Sequence, residues 1–410
     1  MTRRRRTVTV WLSAALLVAA TSARGQSREW RPVVPLGAIG EIRVQGRLDA
    51  TVRTATPETG RETAEFDWQS RRLELEGTLF RRIEFEVSRE FGDPEEPERD
   101  AFVNLRLARA AQVQAGRFKI PFGRDALTSG ARLDFVLRSL AGRQLAPGRD
   151  VGLMAHGRLA GRRVSYEVGY FKRDGDRART EQTRGARDAV AGRVLVTPFA
   201  LQDGSALAGV QVGAAMVRSR LDDQLGLRGR TVFGEGVFFD RVFVNGLRVR
   251  RGFEAGWSHG PASASFEYIG VSDERRGMGL QGEALPNVHA AGWYLVGTWV
   301  ITGEAKDDRV APRRSLLEGG PGAVEIAARV ERLAFDSTSY PGTTFGFPRP
   351  ETLSANAERV TTLGFTWYLH RFVKVQGNLV VEAVDDPQRS PVPRVSGRLR
   401  SGVFLIQVAV

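Results

Sequence analysis

The chain reads as an all-β protein. The expected architecture is a 16-stranded antiparallel transmembrane β-barrel with one basic connection folded inward as a constriction loop. Three observations predict it. Runs of period-two alternation recur from residue 41 to the C-terminal end. The connections between them alternate between long and short. After residue 26 no apolar run is long enough for a membrane helix, which leaves a barrel as the way across a bilayer.

The N-terminal stretch is set apart from the rest. Arg3 to Arg6 form a positive head, Val8 to Ala20 a short apolar run, and Ser22-Ala23-Arg24-Gly25 a small-residue site ahead of Gln26. This is the layout of an export signal. Residues 1–25 are expected to be a cleaved signal peptide, and 26–410 a single barrel domain. Cleavage removes five arginines and no acids, taking the formal charge from +13 to +8. The chain has no cysteine, so disulfides and thiolate metal sites are excluded. A hydrophobic fraction of 42% fits soluble proteins too, so pattern must decide.

Residues 41–53, EIRVQGRLDATVR, alternate almost without a break. Ile42, Val44, Leu48 and Val52 share one face with Gly46 and Ala50, while Arg43, Gln45, Arg47, Asp49, Thr51 and Arg53 share the other. A run this long exceeds the usual soluble strand and suits a tilted membrane strand. Its charged face suits a water-filled lumen. The pattern returns in Ile83/Phe85/Val87, Val164/Tyr166/Val168/Tyr170, Val324/Ile326/Ala328/Val330 and Val373/Val375/Leu379/Val381. Strands are expected at 41–53, 68–80, 82–91, 100–109, 111–118, 149–160, 162–172, 189–200, 205–218, 241–258, 261–272, 290–303, 323–336, 359–370, 372–385 and 395–409. An even count is what bacterial barrels require. The stretch 230–239 is assigned to a loop, because glycines and charges interrupt its faces.

Long connections at 54–67, 92–99, 119–148 and 173–188 alternate with tight ones at Phe80-Arg81-Arg82, Arg109-Ala110 and Ala160-Gly161. That parity places both ends of the barrel at the short-turn rim. Residues 304–322 break the rule, being long where a short turn is due. Trp257, Trp293, Trp299, Trp367, Tyr294 and Tyr368 lie in strands, several near their ends, as interface girdles do.

The segment 117–149 concentrates the charge. It carries seven cations (Arg117, Lys119, Arg124, Arg132, Arg138, Arg143 and Arg149) against Asp125 and Asp134, a net of +5. Charge alone fits a solvated surface loop, but between two barrel strands it reads as the narrow zone of an anion pathway. Rings of Arg or Lys select anions, Arg by a planar fork and Lys by a compact charge. Arg43, Arg47, Arg158, Arg163, Arg248, Arg250, Arg329, Lys374, Arg398 and Arg400 fall on expected lumen faces and extend the pathway along the wall. Glu84, Glu86, Glu325 and Glu331 also face inward, so some of these arginines belong to ion pairs.

The chain resembles the phosphate-selective porin O and P family. The likeness is strongest in QAGRFKIPFGRDALTSGARLDFVLRSLA (114–141) and PGRDVGLMAHG (147–157). It continues through FFDRVFVNGLRVRRGFEAGW (238–257), GWYLVGTWVITGE (292–304), GAVEIAARVERLAF (322–335) and LGFTWYLHRFVKVQGNLVV (363–381). The resemblance implies a trimer of sixteen-stranded outer-membrane barrels, an inward loop after the fifth strand, and a pore lined by arginines with a lysine at the constriction. Lys119, in the RFK of GRFKIPFG, falls on that lysine. The chain ends at Val410, where barrels of this class usually end in an aromatic residue.

The expected function is passive diffusion of small inorganic or organic anions, phosphate and polyphosphate among them, across the bacterial outer membrane. The alternatives are a general or organic-acid-preferring porin of the same fold, or a soluble secreted β-sheet binding protein. The expected partners are those anions, outer-membrane lipid and two further copies of the chain. No cofactor, metal site or enzymatic activity is expected. The four histidines are scattered, and no nucleophile elbow, phosphate loop or dinucleotide fingerprint occurs. The basic residues are spread over strands instead of gathered in a stripe, so no nucleic acid is expected.

Overall fold

The computed structural model describes residues 33–55, 63–93, 97–175, 187–202, 204–233, 236–306, 309–337, 349, 353, 355–389 and 398–410. Sixteen wall strands follow the chain: β1 (Gly40–Ala55), β2 (Thr63–Leu79), β3 (Ile83–Glu90), β4 (Glu98–Ala108), β5 (Ala111–Lys119), β6 (Arg149–Leu159), β7 (Val164–Phe171), β8 (Arg187–Val196), β9 (Gln211–Leu225), β10 (Phe243–His259), β11 (Ala262–Arg275), β12 (Leu285–Val300), β13 (Ala323–Ser337), β14 (Asn356–His370), β15 (Val373–Val384) and β16 (Arg398–Ala409). Each pairs antiparallel with the next. β16 returns to β1, with Ser401 opposite Ala55 and Ala409 opposite Arg47, so the wall is closed and has no free edge. Gly46 and Val410 exchange two backbone hydrogen bonds at the seam, of 3.2 and 2.9 Å. A short strand, Val33–Pro35, lies on the start of β1.

Period two sorts the side chains as the sequence predicts. On β1 and β2, Leu48, Val52, Phe66, Trp68, Leu73 and Leu75 stand exposed on the outside, while Asp49, Thr51 and Ser70 are buried on the inside. The wall is uneven in height. β3 to β8 have 8 to 11 residues, and β9 to β14 have 14 to 17.

Two details differ from expectation. β8 and β9 were expected at 189–200 and 205–218, yet β8 ends at Val196 and β9 begins at Gln211. Pro198 has no N–H for the ladder, and a chain of tight turns follows, Ala200 N to Thr197 O at 3.2 Å and Gln202 N to Phe199 O at 2.9 Å among them. The second concerns β16. Arg398 and Arg400 lie on its outer face, with Phe404, Ile406 and Val408. The inner face is Ser401, Val403, Leu405 and Gln407. The lumen side of this strand is partly apolar because Val403 and Leu405 pack against Val136 of the inward loop.

That loop, 120–148, crosses the lumen as expected. Gly123, at φ 82°, turns the chain into a one-turn helix α1 (Arg124–Leu127). A second short helix, α2 (Leu140–Gln144), is capped by Ser139, whose Oγ accepts from Gly142 N at 3.0 Å. Asp125 ties the two together, accepting from Ser139 N at 3.0 Å and Ser139 Oγ at 3.1 Å. Ile120, Phe122, Leu140 and Leu145 are fully buried inside the barrel. Each such side chain stabilises the inward position by about 2 kcal/mol. The loop after β9 joins them. Its stretch 230–239 is no wall strand, as expected, but forms a small hairpin of Gly229–Arg230 and Val237–Phe239. Phe239 stacks on Phe335 of β13 at 4.6 Å.

Candidate functional site: a basic vestibule in the lumen

The inward loop is pinned to the far wall by polar side chains that meet its backbone. Leu140 N donates to Glu331 at 2.6 Å and Val136 N to Asn378 at 2.8 Å. Lys374 Nζ and Gln376 donate to Leu133 O at 2.9 and 3.1 Å, and Arg329 to Leu137 O at 3.0 Å. Irregular backbone inside a barrel needs such partners, since little water reaches it.

The seven cations of 117–149 do not form a ring. Lys119 Nζ donates to the carbonyls of Ala126, Leu127 and Thr128 at 2.8, 3.1 and 3.3 Å, closing the C-terminal end of α1. Arg138 donates to Thr128 O at 2.6 Å and to Asp125 O. Arg143 donates to Val232 O at 2.6 Å and so fastens α2 to the 226–242 loop. Arg149 is buried in a bidentate pair with Asp100, at 2.7 to 3.0 Å. Arg124 reaches Gln211 on the opposite wall at 3.3 Å. Arg117 shares the outward face of β5 with Val113 and Ala115 and donates to Glu98 O at 3.2 Å, which puts it outside the lumen. Of the seven, Arg132 lines an open space.

The wall arginines divide in the same way. Arg248 and Arg250 are wholly buried, bound to Asp174 and Asp273. Arg329 is paired with Glu331 at 3.0 Å. Arg47 is paired with Asp49 at 3.2 Å and donates to Ser70 at 2.8 Å. Arg43 pairs with Glu41 near the start of β1. Arg158 and Arg163 are exposed at the short-turn rim.

The open space at Arg132 lies near the His370-Arg371 turn. Three segments converge on it. The inward loop brings Ala131 and Arg132, the connection 301–322 brings Lys306, Arg309 and Val310, and β14 to β16 bring Tyr368, His370, Arg371, Lys374 and Gln407. Among the described residues, five cationic side chains line it and no carboxylate does. The long 301–322 connection is therefore not an idle overhang, since it folds back against the inward loop. Lys306 N donates to Gly260 O at 2.7 Å, and its Nζ pairs with Asp134 at 2.6 Å and with Glu325. Burial works against the Lys306 charge, but Asp134 and Glu325 outweigh it and raise its pKa above the usual lysine range. Lys306, Arg309 and Arg371 were not expected from the sequence. The signal that pointed to Lys306 and Arg309 was a connection too long for its rim.

A closed sixteen-strand wall with two connections folded inside and a basic opening between them is a channel. Residues 42–401 match the family described as phosphate-selective porin O and P. The chain belongs to that family. It is an outer-membrane channel for anions. Among solved structures, it is similar to the outer membrane channel DcaP of Acinetobacter baumannii, with a TM-score of 0.57 at 11% identity over 92% of this chain and 99% of that one. The anion-selective porin from Comamonas acidovorans matches with a TM-score of 0.56 at 15% identity, over 90% and 100% of the two chains. OmpT of Vibrio cholerae matches with 0.55 at 11% identity, over 92% and 100%. At these identities the likeness concerns the fold. No curated protein matches the chain.

Proposed function

We propose that this porin draws small anions through the vestibule lined by Arg132, Lys306, Arg309, Arg371 and Lys374, and that Lys119, Arg124, Arg138 and Arg143 hold the inward loop in place. The observation that carries this reading is the convergence of five cations, with no carboxylate among the described lining residues. A cation in a narrow lumen acts on a passing ion more strongly than one in bulk water. Several weak sites in series let an anion enter and leave again. The anion-selective porin from Comamonas acidovorans, similar in fold, lends support to the direction of selectivity. Phosphate and small organic acids both match such a lining. Lys119 is assigned a positioning role in this reading, since its ammonium is engaged with three carbonyls.

The test is the reversal potential in a planar bilayer under a salt gradient. The expected result is anion preference in the wild type and loss of that preference in Arg309→Glu/Arg371→Glu. Cation preference in the wild type would defeat the reading. A trimer of barrels, each with its own lumen, is proposed from the family and from the trimer form of OmpT of Vibrio cholerae. Removal of residues 1–25 is proposed from their composition alone, since they lie outside the described residues. N-terminal sequencing and the mass of the detergent-extracted protein check both.

A further inference from the structure

The outer wall carries a second group of arginines that the anion pathway does not use. On β10 to β12 the register sets three aromatic side chains in one outward row, with Phe253 opposite Tyr268 and Tyr268 opposite Trp293. Such rows mark a membrane interface. Immediately beyond them, toward the long-loop rim, Arg251 stands opposite Met216 and Gly270. Arg218 and Arg220 follow on the same face of β9, and Arg220 is opposite Arg187 of β8. All four are exposed. The acids near them are already engaged. Asp222 pairs with Arg187 at 3.1 Å, Glu274 with Arg276 at 2.7 Å, and Asp188 accepts from the Tyr170 hydroxyl. Among the described residues no carboxylate lies within ion-pairing distance of Arg218, Arg220 or Arg251.

We propose that this face of β8 to β10 binds the phosphate groups of anionic lipid in the outer leaflet. Three guanidinium groups with no carboxylate in ion-pair contact would be unfavourable against hydrocarbon, yet they lie beyond the aromatic row, where headgroups begin. Guanidinium forks take phosphate oxygens bidentately. Long stems let the heads reach the headgroup layer while the methylenes stay on the apolar wall. The position selects lipid over dissolved phosphate, because the site faces the membrane and not the lumen.

The experiment is native mass spectrometry of the whole refolded barrel in detergent, incubated in separate arms with diphosphorylated lipid A, with phosphatidylethanolamine and with inorganic phosphate. Arg218→Gln/Arg220→Gln/Arg251→Gln is compared with Arg81→Gln/Arg109→Gln/Arg162→Gln, an equal loss of charge at the short-turn rim. Heat-modifiable migration confirms that both variants fold. The expected result is retention of lipid A by the wild type and the rim variant, and affinity weaker by about tenfold or more in the β9–β10 variant. Equal retention by all three proteins would overturn the proposal, as would equal loss in the two variants. Binding of inorganic phosphate at this face in place of lipid would overturn it too. If the β9–β10 variant instead dissociates into single chains with lipid binding unchanged, the face is a subunit contact and the proposal fails.

Discussion

Residues 248–251 read RVRR, and the two ends of that motif lead opposite lives. Arg248 and Arg250 point into the barrel and are wholly buried. Arg248 donates to Asp273 at 2.5 and 2.6 Å and to Asp174 at 2.8 Å. Arg250 donates to Asp174 and, at 2.8 Å, to Leu145 O of the inward loop. Arg251, one residue on, is exposed on the outer wall. The side chains are chemically identical. What separates them is strand parity and the partners that distant segments bring. Asp174 comes from the connection after β7, and Leu145 from the loop after β5. A buried arginine here is a fastener between wall and loops, and an exposed one is available to something outside the chain.

The largest expected effect is the removal of the shared partner. Asp174→Ala should destabilise the barrel by about 3–5 kcal/mol, because two buried arginines lose their common counter-charge. Denaturant unfolding in detergent micelles measures it. A change no larger than that of Arg251→Ala would erase the distinction drawn above.

Next comes acid. Burial pushes the Asp174 carboxyl up, but Arg250 and Arg248 overcome it and hold the pKa at about 2, below the usual 3.8. A depressed carboxyl contributes stability that is complete above its unfolded pKa and lost as pH falls through the folded one. The contribution of Asp174 should therefore fade between about pH 4 and pH 2. Unfolding midpoints across that window should fall in the wild type and stay flatter in Asp174→Asn.

Lys119→Met is expected to have an intermediate effect. It removes a charged donor from three carbonyls and should cost about 2 kcal/mol locally. Single-channel records should become noisier as the inward loop loosens. Anion preference should change less than in Arg309→Glu/Arg371→Glu, and a reversed order would return Lys119 to the ion path. Arg251→Ala should be smallest, within about 0.5 kcal/mol by the same unfolding measurement.

The fold was legible because a barrel wall repeats one simple constraint. Every wall strand must alternate, and connection lengths must alternate with the rims. Sixteen strands and the loop assignment of 230–239 follow from that, whereas the inward loop was signalled by the charge of its segment and by the family resemblance. The sequence by itself also determined which face most side chains take, since period two leaves two choices. Where the lumen ceases to be watery, parity is obscured. Val403 and Leu405 face inward on an apolar loop, which is why Arg398 and Arg400 were misplaced. The partners of each cation were decided by tertiary structure alone. Arg149 finds Asp100, Lys306 finds Asp134, and Lys119 finds the end of α1, across separations of up to 172 residues. Charge counts along a chain add up what lies near in sequence, whereas ion pairs and open space depend on what lies near after the wall has closed.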